Sequence, residues 1–126
     1  MQEIVKQWLA QANADMKTAR HCFTSKDYYA VVVFAQQCAE KALKALYISI
    51  NGKLPPKVHD LVELGRLVEA PGEVYSLAEK LTVTYFSSRY PGAAAEIPAK
   101  FYDKKKANTH FKEARVILSW VREKIK

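Results

Sequence analysis

Residues 27–52 read DYYAVVVFAQQCAEKALKALYISING, and this stretch decides the fold. Its apolar residues recur every three or four positions, the period of an α-helix with one face in a core: Tyr28, Val32, Ala35, Ala39, Ala42, Leu43, Leu46 and Ile50. Asp27 is suited to cap the N-terminus of this helix. Gly52 is suited to end it, because glycine readily adopts the left-handed conformation past a last turn. The stretch predicts a helix roughly 30 Å long at about 1.5 Å per residue.

Helical periodicity continues on both sides of this stretch. The other predicted helices cover Gln2–Phe23, about His59–Glu69 after Pro55-Pro56, a stretch after Pro71-Gly72 that includes Tyr85, and a last helix from about Lys104. Because only a short connection joins the first two helices, they should form an antiparallel hairpin. The sequence therefore predicts an all-α fold, an antiparallel up-and-down bundle of four to five helices, in a single domain over residues 1–126.

The charge of the chain is unevenly placed. The formal net charge is +7, and nine basic residues stand against three acidic ones between Lys100 and Lys126. Such a tail attracts anionic partners such as RNA or an acidic protein surface, but it is equally typical of a solvated helix face. No apolar run approaches the about 20 residues that cross a bilayer, and the N-terminus lacks the pattern of a signal peptide. We therefore expect a cytoplasmic protein with no membrane partner.

No enzyme motif stands out. The sequence has no glycine-rich phosphate loop and no pairing of a nucleophile with a base. The three histidines, His21, His59 and His110, are too scattered to indicate a zinc site. The sequence thus predicts no catalytic residue, no metal site and no cofactor.

Several blocks of sequence resemble the prokaryotic HEPN family. Residues 35–47, AQQCAEKALKALY, are similar to the signature helix of that family. Gly52 with the following prolines, His59-Asp60-Leu61, Tyr85 and Ser88-Arg89-Tyr90-Pro91 come after it in the order of the family. The resemblance implies an antiparallel helical bundle that commonly forms homodimers. It also implies a minimal nucleotidyltransferase as partner, in a two-component system of the toxin–antitoxin type.

Other members of the family that this chain resembles are metal-independent ribonucleases, in which a histidine follows an arginine by four to six residues. Arg89 has no histidine at that spacing. The favoured interpretation is therefore a non-catalytic binding module associated with a nucleotide or RNA. Two alternatives stay open: a ribonuclease toxin in which Arg89 works with a distant histidine such as His110, and a purely structural helical interaction protein.

The candidate nucleotide- or anion-binding site combines the polar face of the second helix with the long segment 87–102. Its predicted residues are Lys41, Lys44, Tyr47, His59, Arg89 and Tyr90. Arg89 offers a planar fork that matches phosphate, and Tyr90 can stack on a base. Plainer roles are also open, because Glu40 and Lys44 suit an i,i+4 pair on a solvated face, and Arg89 could cap a helix end or pair with Glu96.

A homodimer is also expected from the distribution of apolar residues. Val33, Ile48, Ile117 and Trp120 lie off the main apolar stripes of their helices. One small bundle seldom covers so much apolar surface, and exposed apolar patches usually mark interfaces.

Overall fold

The computed structural model describes residues 2–93 and 96–126, and the regular structure within them is helical throughout. The helices are α1 (Gln2–Thr24), α2 (Tyr28–Asn51), α3 (Leu61–Leu67), α4 (Gly72–Thr82), α5 (Thr84–Ser87), α6 (Pro98–Phe101) and α7 (Lys104–Ile125). The predicted all-α fold is confirmed, but the fourth predicted helix, which includes Tyr85, is divided into α4 and α5, and the connecting segment 87–102 contains the single helical turn α6. Within the described ranges, none of these helices has the length and apolar character that crossing a membrane requires.

The turn between α1 and α2 sets these helices antiparallel. Lys26 adopts a left-handed backbone conformation, with φ of 63°. The amide of Asp27 donates to the carbonyl of Cys22 over 2.9 Å, and the amide of Lys26 donates to the carbonyl of Phe23 over 3.1 Å, which is the Schellman pattern of a helix end. Asp27 precedes α2 as predicted, but its carboxylate accepts from the hydroxyl of Ser25 over 2.7 Å and does not cap the helix.

The central helix of the bundle is α2, which packs most extensively on α1 and α7 and also touches α3, α4, α5 and α6. Its Leu43 is buried in the main core, together with Leu61 and Leu64 of α3, Leu81 of α4, and Ile117 and Leu118 of α7. Because neighbours cover several sides of α2, its polar residues on the side of α3 and α5 are withdrawn from water. This placement creates the site described below.

The four apolar residues from which we expected a homodimer do not form an exposed patch. Ile48 and Ile117 are completely buried, Val33 is half-buried, and Trp120 packs against the main core. The reasoning was wrong because α2 and α7 are contacted on more than one side, so residues off the main stripe also face a neighbouring helix. Ile48, for example, packs with Val5 of α1 in a small second cluster.

Candidate ligand-binding site

A buried row of polar side chains runs along α2. Gln36, Glu40 and Lys44 follow each other at i,i+4 spacing and are only 0%, 5% and 6% exposed. The amide nitrogen of Gln36 donates to one oxygen of Glu40 over 3.2 Å, and the ammonium of Lys44 donates to the other over 3.0 Å. Buried charges are costly unless they are paired and hydrogen-bonded. The three side chains are therefore interdependent, and we call them the polar row.

His59 joins the polar row from the segment before α3. Its Nδ1 lies 3.1 and 3.2 Å from the two oxygens of Glu40, and its ring stacks on Tyr85 with centroids 4.5 Å apart. Since an ionised carboxylate only accepts hydrogen bonds, Nδ1 is the nitrogen that donates to Glu40, and Nε2 points away from this bond. The His59 side chain is 56% exposed, so solvent and ligands have access to this ring.

Hydrogen bonds at the start of α3 hold His59 in place. The carboxylate of Asp60 caps α3 by accepting from the amide of Val62 over 2.9 Å. The hydroxyl of Thr82 accepts from the amide of Leu61 over 2.9 Å and donates to Asp60 over 3.3 Å. These bonds tie the start of α3 to the end of α4, and the position of His59 follows from them.

Arg89 reaches the same place from the end of α5. Its guanidinium donates to the carbonyl of Tyr85 over 2.9 Å and to the amide oxygen of Gln36 over 3.0 Å. The guanidinium carbon lies 4.1 Å from the centre of the Tyr85 ring, which is a favourable cation–π distance. The pKa of Arg89 is lowered, because the effect of burial exceeds the opposing effects of the nearby Tyr85, Glu40 and Tyr90. We call Gln36, Glu40, His59, Tyr85 and Arg89 the Arg89 cluster.

The structure brings together some of the predicted site residues and separates others. His59 and Arg89 meet at Tyr85, and Lys44 reaches them indirectly through Glu40. Tyr90 is next to the cluster, with its side chain exposed and its ring 5.9 Å from that of Phe86. Lys41 instead faces α1, where its ammonium lies 2.7 Å from Asp15. Tyr47 packs against the main core.

The plainer roles considered for these residues are partly present. Glu40 and Lys44 do pair, but they are buried and not on a solvated face. Arg89 does bond a carbonyl at a helix end, that of Tyr85, while none of its bonds within the described residues involves Glu96. His110 is engaged elsewhere, with its Nδ1 2.7 Å from a carboxylate oxygen of Glu113.

Sequence reasoning missed Gln36 and Tyr85 as site residues and gave Glu40 only the role of a partner for Lys44. One signal was available, because Gln36, Glu40 and Lys44 repeat at i,i+4 directly beside the apolar stripe. What could not be seen was that another part of the chain covers this row. The contact between Gln36 and Arg89 joins residues 53 positions apart.

The fold and site define a helical-bundle protein whose central helix carries a buried polar row, hydrogen-bonded to a half-buried arginine and an exposed histidine. The family model described as "HEPN domain" matches residues 5–124. The chain therefore belongs to the HEPN domain family.

Two solved structures are similar to this chain over nearly their whole length. The crystal structure of TT1696 from Thermus thermophilus has 30% sequence identity to this chain and a TM-score of 0.87. The match covers 95% of this chain and 97% of the TT1696 chain. The crystal structure of ST0689, an archaeal HEPN homologue, has 32% sequence identity to this chain and a TM-score of 0.82. The match covers 97% of this chain and 98% of the ST0689 chain. The chain matches no curated protein sequence.

Proposed function

We propose that this HEPN domain is a cytoplasmic, non-catalytic binding module that accepts a phosphate group of a nucleotide or RNA at the Arg89 cluster. One observation supports this most directly. Within the described residues, the guanidinium of Arg89 donates only to neutral oxygens, those of Gln36 and Tyr85. Its positive charge is therefore half-buried without a directly bonded carboxylate.

The chemistry of the cluster suits a phosphorylated ligand. A guanidinium has five N–H donors in a planar fork, and its unused donors match phosphate oxygens. His59 adds a ring whose Nδ1 is fixed by Glu40, and the exposed ring of Tyr90 can stack on a base. In this proposal Lys44 acts indirectly by balancing the charge of Glu40, while Lys41 and Tyr47 are not needed.

The proposed partners are a second copy of the chain and a minimal nucleotidyltransferase, in a two-component system of the toxin–antitoxin type. Support for the second copy comes from an exposed apolar patch formed by Val83, Phe86 and Tyr90, which we call the Phe86 patch. Their exposed fractions are 70%, 62% and 51%. Exposed apolar surface of this kind usually marks an interface. The nucleotidyltransferase is proposed from family membership.

We expect Arg89→Lys to weaken ATP binding by about 1–3 kcal/mol, the range for charge-assisted hydrogen bonds, or roughly 5- to 150-fold. Lysine keeps the charge but lacks the planar fork that bonds Gln36 and Tyr85 while leaving donors for phosphate. Isothermal titration of ATP into wild type and variant measures the effect.

Arg66→Lys is the matched control for this titration, because Arg66 is a surface arginine of α3 paired with Glu63. It should leave ATP affinity unchanged. Equal ATP affinities for wild type and Arg89→Lys, together with a lower melting temperature of the variant, would show that Arg89 is structural and would reject the proposed site.

A second candidate function, metal-independent RNA cleavage, is favoured by one observation. His59 has its Nδ1 on a buried carboxylate and stacks on the same tyrosine ring as Arg89. A histidine oriented in this way is suited to general base catalysis, and an arginine can stabilise charge at phosphate.

We nevertheless expect purified protein to leave single-stranded RNA intact, because the Arg–His spacing of the ribonucleases is absent from the sequence. Incubation without metal in the presence of EDTA, followed by denaturing electrophoresis, checks this expectation. If the RNA is cleaved, and His59→Ala abolishes cleavage while His21→Ala does not, the domain is a ribonuclease and the binding module is rejected.

A further inference from the structure

A surface groove of about 760 Å³ lies on the other end of α2, between the α1–α2 turn and the first half of α7. Three aromatic residues line it: Phe23 of α1 and Tyr28 of α2, which are half-buried against the main core, and Phe111 of α7, which is 7% exposed. Phe23 meets Phe111 edge to face with centroids 5.3 Å apart, and it meets Tyr28 in the same manner at 6.3 Å. Three different helices thus contribute aromatic residues to one groove, which we call the α7 groove, and the rings of Phe23 and Tyr28 are the partly exposed ones.

The rim of the α7 groove is basic. Lys26, Lys104, Lys105 and Arg115 line it and are all exposed. Within the described residues, none of the four is within ion-pair distance of a carboxylate. Their positive charge is therefore available to an external anion.

The acidic residues adjacent to the groove in sequence are both engaged in local bonds. Asp103 caps α7 by accepting from the amide of Lys106 over 2.9 Å. Asp27 accepts from the hydroxyl of Ser25 over 2.7 Å. Neither carboxylate bonds a basic side chain of the rim.

The length of the basic rim indicates the size of the ligand. Lys104 and Arg115 stand at positions 104 and 115 of the same helix, so about 1.5 Å per residue separates them by roughly 16 Å along its axis. A single nucleotide would engage only one end of such a row. A chain of successive phosphates could engage all of it while its bases contact the aromatic floor.

We infer that the α7 groove binds single-stranded RNA, with bases on Phe23 and Tyr28 and backbone phosphates on Lys26, Lys104, Lys105 and Arg115. Aromatic platforms beside a positively charged groove are the recurring solution for single-stranded nucleic acids. An acidic protein segment would use the charges but not the flat rings. The site goes beyond the proposed function, because the α7 groove shares no residue with the Arg89 cluster.

Lys26 provides a variant that removes a cation from the groove without harming the fold. Its left-handed backbone, with φ of 63°, is one that residues other than glycine rarely adopt. Lys26→Gly should therefore keep or raise the melting temperature while it weakens RNA binding. A fall in RNA affinity in this variant cannot then be attributed to unfolding.

The test is fluorescence anisotropy with a labelled single-stranded RNA of about 12 nucleotides, titrated with the full chain at two salt concentrations. We expect the paired variant Lys104→Gln, Lys105→Gln to bind at least about tenfold more weakly and to lower the slope of log affinity against log salt by about 1.4. The matched control is Lys124→Gln, Lys126→Gln, which removes the same charge from the far end of the basic tail. It should change affinity less than about threefold.

Several results would overturn this inference. Wild type that does not bind the RNA would do so, as would equal losses in the two paired variants, because binding would then report only the charge of the tail. Tyr28→Leu keeps apolar bulk but removes the flat ring, so it should weaken binding at least about fivefold. Unchanged affinity in Tyr28→Leu, or equal displacement of the RNA by a polyglutamate of the same length, would remove the role of the rings.

Failure of RNA binding at the α7 groove can be distinguished from failure of phosphate binding at the Arg89 cluster. Arg89→Lys should leave the RNA affinity of the α7 groove unchanged. If RNA binding falls only in Arg89→Lys, the groove is rejected while the Arg89 cluster stands. Displacement of the RNA by ATP at equal molar concentration would identify a mononucleotide site and reject the strand.

Discussion

Replacing Glu40 with alanine is expected to lower the free energy of unfolding by about 3–5 kcal/mol, the range for breaking a buried ion pair. Three groups lose their common acceptor in this variant: the ammonium of Lys44, the amide of Gln36 and Nδ1 of His59. Lys44 is only 6% exposed, so water cannot readily replace the lost carboxylate. Among the described residues, the ring of Trp8 would still make a cation–π contact with the ammonium of Lys44, with its centre 5.8 Å away.

Urea denaturation followed by circular dichroism measures the loss in Glu40→Ala. Glu63→Ala is the control, since Glu63 also pairs with a basic residue, Arg66, but on the surface. Solvent screens such pairs, so its effect should be much smaller. Equal losses in the two variants would contradict a buried role for Glu40.

A double variant separates the effect of an unpaired charge from that of lost volume. Glu40→Leu combined with Lys44→Met removes both charges and keeps apolar bulk. Because the stranded ammonium is then absent, the double variant should be more stable than Glu40→Ala, while the buried amide of Gln36 still lacks its acceptor and keeps it below wild type. Its ATP affinity should still fall, since Glu40 also orients His59 beside Arg89.

Phe86→Asp is expected to convert the proposed homodimer into a monomer, with at least about a hundredfold loss of dimer affinity, equivalent to about 2.7 kcal/mol. Phe86 is 62% exposed and is at the centre of the Phe86 patch, between Val83 and Tyr90. Aromatic residues at the centre of an interface commonly dominate its affinity. A carboxylate there would also have to lose its water on association.

Light scattering at micromolar protein concentration measures the mass of wild type and variant. Val116→Asp is the control, because Val116 is an exposed apolar residue of α7 outside the patch. It should leave the mass unchanged. A monomeric wild type would reject the dimer, and a dimer that persists in Phe86→Asp would reject the Phe86 patch as its interface.

The position of the Phe86 patch also connects dimerisation with ligand binding. The ring of Phe86 lies 5.0 Å from that of Tyr85, which carries the stacked His59 and Arg89. A second copy bound at the patch would therefore contact the edge of the Arg89 cluster. Because Tyr90 belongs to the patch and is also proposed to stack on the base, we expect ATP to shift the monomer–dimer equilibrium towards the monomer.

The sequence by itself determined the two central long helices and the all-α class of this protein, but not the short turns α5 and α6. The apolar period and the terminal residues predicted a helix between Asp27 and Gly52 and a last helix from about Lys104, and the structure has α2 at Tyr28–Asn51 and α7 from Lys104. These features depend on interactions within a few residues, such as the left-handed Gly52 that ends α2 and the Asp103 cap of α7. The quoted blocks also placed the chain correctly in the HEPN family.

Only the tertiary structure decided which polar residues act together. Lys41 and Lys44 are three positions apart on α2, yet one bonds Asp15 of α1 and the other bonds buried Glu40. A period in sequence shows which residues share a helix face but not which neighbouring helix covers that face. Arg89 meets Gln36 across 53 positions because α5 packs on α2. That contact depends on how the whole bundle closes, which no local pattern contains.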